Sequence, residues 1–306
     1  MIEFKSIGLS DKAWIDECVR AENSRSVDFN VANLYLWDAE YKQRVSKLGA
    51  RMVTELHYTD APFFAFPVGE GDLYGAIEAL RAEAAERGFP FRVGGVTEQH
   101  RAQLEALYPG ALLYTPERDF YDYVYEAERL ASLSGKKLHG KRNHINRFIE
   151  ENPNWRFVPL TEELLPACRE MLAAWTENRG ADAASAEGLA AEHVAIELAF
   201  AHFSALELEG GALYVQDKLA AFTIGEKISA DTYDVHFEKA AADVEGAYPM
   251  VNREFVRMVM DKHPEIRYIN REDDMGLEGL RKAKLSYDPA FLVEKYSAVF
   301  REEAQA

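Results

Sequence analysis

Three alternate positions in the stretch DTYDVHFE, Asp234, His236 and Glu238, carry ionisable side chains. Side chains alternate across a strand, so these three would share one face at intervals of roughly 6.5–7 Å, with Tyr233, Val235 and Phe237 on the other. An imidazole between two carboxylates suits proton transfer. His236 would titrate near neutrality, and a carboxylate beside it would set its tautomer. Asp234, His236 and Glu238 are therefore the candidate catalytic residues. A central strand would turn this face into a cleft, and an edge strand would turn it to water. No metal is expected, because a metal centre needs three or four ligands and no second set is visible.

Cations able to meet an anionic ligand lie in two stretches. SGKKLHGKRNHINRFIEENPNW (134–155) reads as a basic helix stopped at Asn152-Pro153. Lys136, Lys137, Lys141, His144 and Arg147 fall within about 140° of one another on a helical wheel. Leu138, Ile145 and Ile149 form the neighbouring apolar stripe. The basic face is either a solvated surface or a phosphate-contacting patch, in which case Lys136, Lys137, His144 and Arg147 are its nucleic-acid contacts. Arg142 lies at the edge of the apolar stripe, where an inward guanidinium serves a structural carboxylate or an anionic ligand.

The second stretch, RYINREDDMGLEGLRKAKLSYDP (267–289), crowds Asn270, Arg271, Glu272, Asp273 and Asp274 between a short strand and a helix. Open α/β sheets tend to hold ligands at such turns. Lys284 falls within the arc of Leu277, Leu280 and Ala283. It either snorkels to water or aims at an anionic group in a cleft. Between the two stretches, AADVEGAYPMVNREF leads from a strand through Gly246 into a helix, a weak phosphate-cradle signal with Tyr248 and Asn252 beside it. The candidate substrate contacts are thus Arg142, Lys284, Lys141, Tyr248, Asn252, Asn270, Arg271 and Asp273.

The elements that must position these groups follow from periodicity and punctuation. Helices are expected at 11–23, 72–87 (opened by Asp72 and closed by Gly88), 97–108 (opened by Thr97), 161–179 (opened by Thr161, closed by Gly180), 185–208 and 249–263. Strands are expected at 51–58, 62–68, 89–96, within 111–125, and at 155–159, 211–216, 218–227, 231–238, 267–269 and 290–300. Residues 26–37 fit helix and loop equally. The charge changes sign near Ser134-Gly135, which places a domain boundary close to 130. The resulting domains are 1–130 and 131–306, and the second holds the cleft.

Composition narrows the function. With 48% hydrophobic residues in 306, a sizeable core is available, enough for two domains of ordinary size or one large one. The net charge of −17 disfavours general binding to nucleic acid or an anionic membrane and leaves only a local basic patch for that role. No apolar run reaches the ~20 residues of a membrane helix. The N-terminus does not read as a signal peptide, and Cys18 and Cys168 give no disulfide framework, so a cytoplasmic location is expected. The Gly135–Lys141 run comes near a phosphate-binding loop, but Arg142 stands where Ser or Thr would hold magnesium.

SGKKLHGKRNHINRF, HFEKAAADVEGAYPMVN and YINREDDMGLEGLRKAKLSYDP, in that order, resemble the cytosolic C-terminal domain family of bacterial phosphatidylglycerol lysyltransferases. The resemblance is strongest from about 115 to 295. It implies an α/β (α+β) fold of two tandem GNAT-like domains, each a mixed central sheet flanked by helices, similar to the Fem-type peptidyltransferases. It also implies transfer of an aminoacyl group from aminoacyl-tRNA to an amine or hydroxyl acceptor, a small molecule or a lipid headgroup. The implied cleft is lined by the Lys141-Arg142 region, the strand of His236 and Glu238, and residues 270–284. An acyl-CoA-dependent acetyltransferase and a non-catalytic binding protein are the alternatives on the same scaffold. The membrane-spanning part of the lysyltransferases has no counterpart here, so phosphatidylglycerol is not implied as the acceptor.

Overall fold

In the computed structural model, which describes residues 1–177 and 183–302, the chain forms two compact units interleaved in sequence. The first takes in Met1–Asp122, Asp273–Gly276 and the chain from Val293 onward. The second takes in Tyr123–Glu272 and Leu277–Leu292. In chain order, the elements up to the second unit are β1 (Lys5–Ser6), α1 (Lys12–Glu22), α2 (Val31–Leu36), α3 (Asp38–Tyr41), β2 (Arg44–Leu48), β3 (Arg51–Leu56), β4 (Phe63–Ala65), β5 (Val68–Gly69), α4 (Leu73–Arg87), β6 (Val93–Thr97), α5 (Glu98–Leu107) and β7 (Leu112–Pro116). Then come β8 (Asp122–Glu126), α6 (Ala127–Ser132), α7 (His139–Glu151), β9 (Trp155–Pro159), α8 (Leu165–Glu177), α9 (Ala183–Ala201), β10 (Glu209–Val215), β11 (Lys218–Lys227), β12 (Thr232–Ala240), α10 (Ala247–Lys262), β13 (Tyr268–Asn270), α11 (Glu278–Leu285), β14 (Phe291–Val293) and β15 (Lys295–Phe300).

The first sheet runs β1-β2-β3-β4-β6-β15-β7, with β5 paired to β3. The β4–β6 pair is parallel. Its helices obey local rules. Asp72 Oδ1 accepts from the Gly75 amide at 2.8 Å at the start of α4, and Gly88 closes that helix at φ 76°. Thr97 and His100 exchange side chain-to-backbone bonds at the start of α5. Within this unit, buried Lys295 donates to Asp28 at 2.6 Å and to Asp122 at 2.8 Å.

The second sheet runs β14-β8-β13-β12-β11-β10-β9. One face is covered by α10, whose Met250, Val251, Phe255 and Val259 share a core with Tyr123, Tyr125, Phe148, Tyr233 and Val235. Fully burying each large apolar side chain is worth about 1.5–3 kcal/mol, so this core fixes α10 firmly against the strands. The other face carries α8, and the Phe200 and Phe222 rings pack at 5.5 Å. Gly246, at φ 82°, precedes α10. A Cβ there would stand 2.9 Å from the His144 carbonyl oxygen, so glycine lets the turn close onto α7.

Sequence and structure part in several places. Expected as one strand, 290–300 forms two: β14 lies on the edge of the second sheet, whereas β15 fills the first sheet between β6 and β7. A single cut after residue 130 therefore does not describe the units, because strand partnership over long sequence separation is invisible in local patterning. The expected basic helix begins only at His139, so Lys136 and Lys137 sit in the turn before it. Leu277 and Leu280, expected on an apolar face, are 52% and 36% exposed. Strand β2 went unread. The expected end of the 161–179 helix, at Arg179 and Gly180, lies outside the described residues.

Candidate functional site

Strands β12 and β13 run parallel for three residue pairs, Thr232 with Tyr268, Tyr233 with Ile269 and Asp234 with Asn270. The ladder stops there, although β12 continues to Ala240. The chain leaving β13 keeps to β8 instead. The Arg271 amide donates to the Tyr123 carbonyl, and the Tyr123 amide donates to the Glu272 carbonyl, each at 3.0 Å. A gap thus opens beside the second half of β12, in the interior of the sheet.

The alternation expected along β12 breaks at His236. Ile224 of β11 faces Phe237, and the next residue, Gly225, faces Val235, which leaves His236 as the extra residue of a β-bulge. A Cβ on Gly225 would stand 2.0 Å from the Asp234 carbonyl oxygen, so β11 needs glycine at this point. The bulge reverses the facing of everything after it. Asp234 and His236 point to one side, while Glu238 joins Tyr233 and Val235 on the α10 side. The expectation that Asp234, His236 and Glu238 share one face is thereby corrected.

On the side away from α10, His236 is enclosed by carboxylates. Its Nδ1 lies 2.9 Å from Asp234 Oδ2 and 3.0 Å from Glu272 Oε1, and its Nε2 lies 3.1 Å from Glu226 Oε1. The Asp234 and His236 side chains are fully buried. Burial opposes a charged imidazole, but Asp234, with Glu226 and Glu272, outweighs it and holds the group well above its ordinary range. Burial and then Asp234 push the Glu272 carboxyl up. Both ring nitrogens are occupied, so His236 is not placed as a free base for an incoming ligand. Glu272 reaches this position from a left-handed backbone, φ 57°, and its amide donates to Asn270 Oδ1 at 2.7 Å. That conformation costs a non-glycine residue on the order of 1 kcal/mol.

On the α10 side, Glu238 is the centre. Arg271 Nη2 donates to its Oε1 at 3.1 Å, and Asn252 Nδ2 donates to its Oε2 at 2.9 Å. The Arg271 guanidinium lies 4.8 Å from the Tyr287 ring centre, and Lys141 Nζ lies 4.1 Å from that same centre. Burial, followed by Arg271, lowers the Lys141 ammonium below the ordinary lysine range, against the pull of Glu238. Thr223 stands directly across the ladder from Glu238. Among the described residues, Thr223 Oγ1 and Asn252 Oδ1 are buried without a hydrogen-bond partner. A carboxylate and two waiting acceptors therefore stand beside two cations. An amine or hydroxyl could donate to the first set while an anionic group met the second.

The remaining candidates are placed elsewhere. Arg142 donates to the carbonyls of Leu133 and Gly135, the latter at 2.8 Å, so it clamps the turn before α7. Lys284 donates to the Arg271 carbonyl, which fixes the turn that presents Arg271 and Glu272. Tyr248 accepts from Trp175 Nε1 at 3.1 Å. Asp273 belongs to the first unit and accepts from the Met275 amide at 3.0 Å. On the basic stretch, Lys137 pairs with Asp288 at 2.7 Å. Arg147 pairs with Glu151 at 2.8 Å and Glu245 at 3.0 Å, and His144 lies 3.9 Å from Glu245. Lys136 is exposed. Sequence reasoning missed Glu226, Thr223 and Tyr287 as contributors, and named Glu272 only as part of a polar cluster. Glu226 faces Asp234 across the β11–β12 ladder, a relation that only the register reveals.

Two mixed sheets flanked by helices, the second with parallel strands that part around a buried polar cluster, define a tandem GNAT-like protein. FemX has this fold as well, with a TM-score of 0.56 at 8% identity over 99% of this chain and 98% of that one. The chain belongs to the family described as phosphatidylglycerol lysyltransferase, C-terminal, which matches residues 20–299. A conserved protein of unknown function from Bacteroides thetaiotaomicron VPI-5482 is 37% identical, with a TM-score of 0.91 over 98% of this chain and 100% of that one. The C-terminal domain of an Agrobacterium fabrum protein named as a lysylphosphatidylglycerol synthetase shares the fold at 13% identity, with a TM-score of 0.65 over 95% and 92% of the two chains. An uncharacterised protein of Mycoplasmoides gallisepticum is 26% identical over 176 residues, 57% of this chain. The match covers 54% of that protein, so the chain spans about half the length of the curated relative. Among the described residues, no helix is long and apolar enough to cross a membrane.

Proposed function

We propose that the chain is an aminoacyltransferase, moving an aminoacyl group from aminoacyl-tRNA to an amine or hydroxyl acceptor on a small molecule or lipid headgroup. The observation that carries this is the Glu238–Arg271 pair in the gap beside β12, with Thr223 Oγ1 and Asn252 Oδ1 unpartnered next to it. The acceptor would donate to Glu238 and attack the ester carbonyl directly. Its proton passes to Glu238 as the new bond forms, and Glu238 returns it to the tRNA ribose oxygen as the ester C–O bond breaks and the ribose hydroxyl departs. Arg271 and Lys141 would steady the oxyanion or the donor phosphate. In this reading His236 is a positioning residue that holds Glu272, and through the Arg271–Glu272 peptide it sets where Arg271 points. Lys136, Lys137, His144 and Arg147 are the tRNA contacts proposed from the sequence, although the acids paired with three of them weaken that face.

One observation favours acyl-CoA as the donor instead. Helix α10 starts straight after the β12 loop with glycine and no side-chain cap, so the positive end of its dipole faces the loop where a phosphate of acyl-CoA would sit. Thermal-shift and native mass measurements on the full chain with charged tRNA, free amino acids, CoA and acetyl-CoA separate the two. Stabilisation by charged tRNA, lost in Glu238→Gln and Arg271→Met, supports aminoacyl transfer. Stabilisation by acetyl-CoA alone overturns it.

A further inference from the structure

We propose that Asp234, His236 and Glu272 bind one divalent transition-type cation, with Glu226 as the outer carboxylate that orients the imidazole. The ion would clasp the turn after β13 to β12, on the face of the sheet opposite Glu238. The carboxylate oxygens and ring nitrogen of these three residues lie within 4.8 Å of one another.

The surroundings of the ring make the case. Its Nε2 meets Glu226 Oε1 at 3.1 Å. Its Nδ1 faces two carboxylate oxygens at once, 2.9 and 3.0 Å away. Metal bonds of about 2.0–2.2 Å place neighbouring ligand atoms roughly 3 Å apart in right-angled coordination, so these separations suit one shared ion. A carboxylate on the distal nitrogen of a ligating histidine is the usual means of fixing its orientation. Charge agrees as well. The three carboxylates, Asp234, Glu226 and Glu272, would be balanced by a divalent ion and by the ammonium of Lys284, whose field reaches Glu272. Without an ion, one Nδ1 hydrogen must serve two carboxylates. A single imidazole with carboxylates suits Mn2+, Fe2+ or Zn2+ better than Ca2+, which takes oxygen shells. The Glu272 side chain is 21% exposed, which leaves a route for the ion from solvent. Glu238, Arg271 and Lys141 are not among its ligands, so ion binding can be measured apart from the transfer reading.

The test uses the full chain, stripped with EDTA and dialysed against Mn2+ or Zn2+. One ion per chain is expected by equilibrium dialysis, together with a Mn2+ resonance signal altered from the free ion. Asp234→Asn and Glu272→Gln should weaken binding at least about 100-fold, and Glu226→Gln about 10–100-fold, as for outer partners of metal ligands. Substoichiometric uptake by the wild type at millimolar free ion overturns the site, as does unchanged binding in Asp234→Asn and Glu272→Gln. Should those variants fail to fold, the wild-type melting curve decides. A rise with Mn2+ or Zn2+ that EDTA reverses supports the site, and no rise with either ion refutes it.

Discussion

The ion pair between Glu238 and Arg271 can be probed by a double-mutant cycle. Their atoms are 3.1 Å apart, and the side chains are 9% and 15% exposed. At an effective dielectric of about 20, the gross attraction is about 5 kcal/mol, most of which the desolvation of two charges cancels. Removing one partner is a different matter. Arg271→Met leaves the Glu238 carboxylate with Asn252 as its remaining donor and should destabilise by about 3 kcal/mol, the low end for a broken buried pair. Glu238→Met leaves a guanidinium that still rests over Tyr287 and should cost about 2 kcal/mol. The double variant replaces both charges with apolar side chains and should lie within about 1 kcal/mol of wild type. The coupling energy is then about 4–6 kcal/mol. Urea denaturation of the full chain measures it, with two spectroscopic probes because two compact units need not unfold together. A coupling below about 0.5 kcal/mol would mean that the two charges do not act as a unit, and the cross-gap bridge would lose its basis. Ligand binding completes the reasoning. The double variant should be nearly as stable as wild type yet bind no charged ligand, since a pair that adds little stability is retained for another purpose.

Three further outcomes follow from the geometry. Arg142→Ala should cost about 1–3 kcal/mol, from the charge-assisted bonds to the Leu133 and Gly135 carbonyls, while leaving ligand affinity unchanged; denaturation and binding measured on one preparation check both. Lys295→Met should destabilise by about 3–5 kcal/mol by stranding Asp122. Burial, against the pull of Lys295, already pushes the Asp122 carboxyl up to about 6. A carboxyl raised in the folded state favours folding at low pH and loses that contribution as pH rises, so the deficit should narrow on acidification, as denaturation at several pH values would show. Lys141 is lowered from the ordinary lysine range. Its ammonium therefore opposes folding until pH rises through the folded value, and anion binding should weaken on the alkaline side earlier than for an ordinary lysine. Lys141→Arg should move that decline to higher pH, as binding titrations across alkaline pH would record.

Much of the framework was legible because it rests on local rules. Asp72, Gly88 and Thr97 punctuate α4 and α5 as their side chains and backbone freedom require. Glu238 on a strand, Arg271 in a strand-to-helix turn, Asn252 at a helix start and Lys141 on a basic helix could each be singled out, and the structure brings those four together. Their grouping could not be read, since Arg271 meets Glu238 only through the parting of β12 and β13. Arg142 misled for a related reason. Its position on a helical wheel says that it points inward, but not that two loop carbonyls nine and seven residues earlier in the chain are waiting for it. The Asp234–His236–Glu238 alternation failed because period-two patterning assumes an unbroken ladder, and one extra residue reverses every facing beyond it.

That extra residue also explains how one strand serves two faces. Without the bulge, His236 and Glu238 would crowd the same side, and the α10 side would lack a carboxylate. With it, the consecutive residues Arg271 and Glu272 bridge the gap on opposite faces, one to Glu238 and the other to His236. Neither bridge can shift alone, because a single peptide joins them and the Lys284 ammonium holds the Arg271 carbonyl. The left-handed backbone at Glu272 is the local cost of this arrangement, and Asn270 braces it from within the strand. A change at the His236 cluster, whether a proton or an ion, must therefore be felt at Arg271, where the proposed ligand's negative charge would rest.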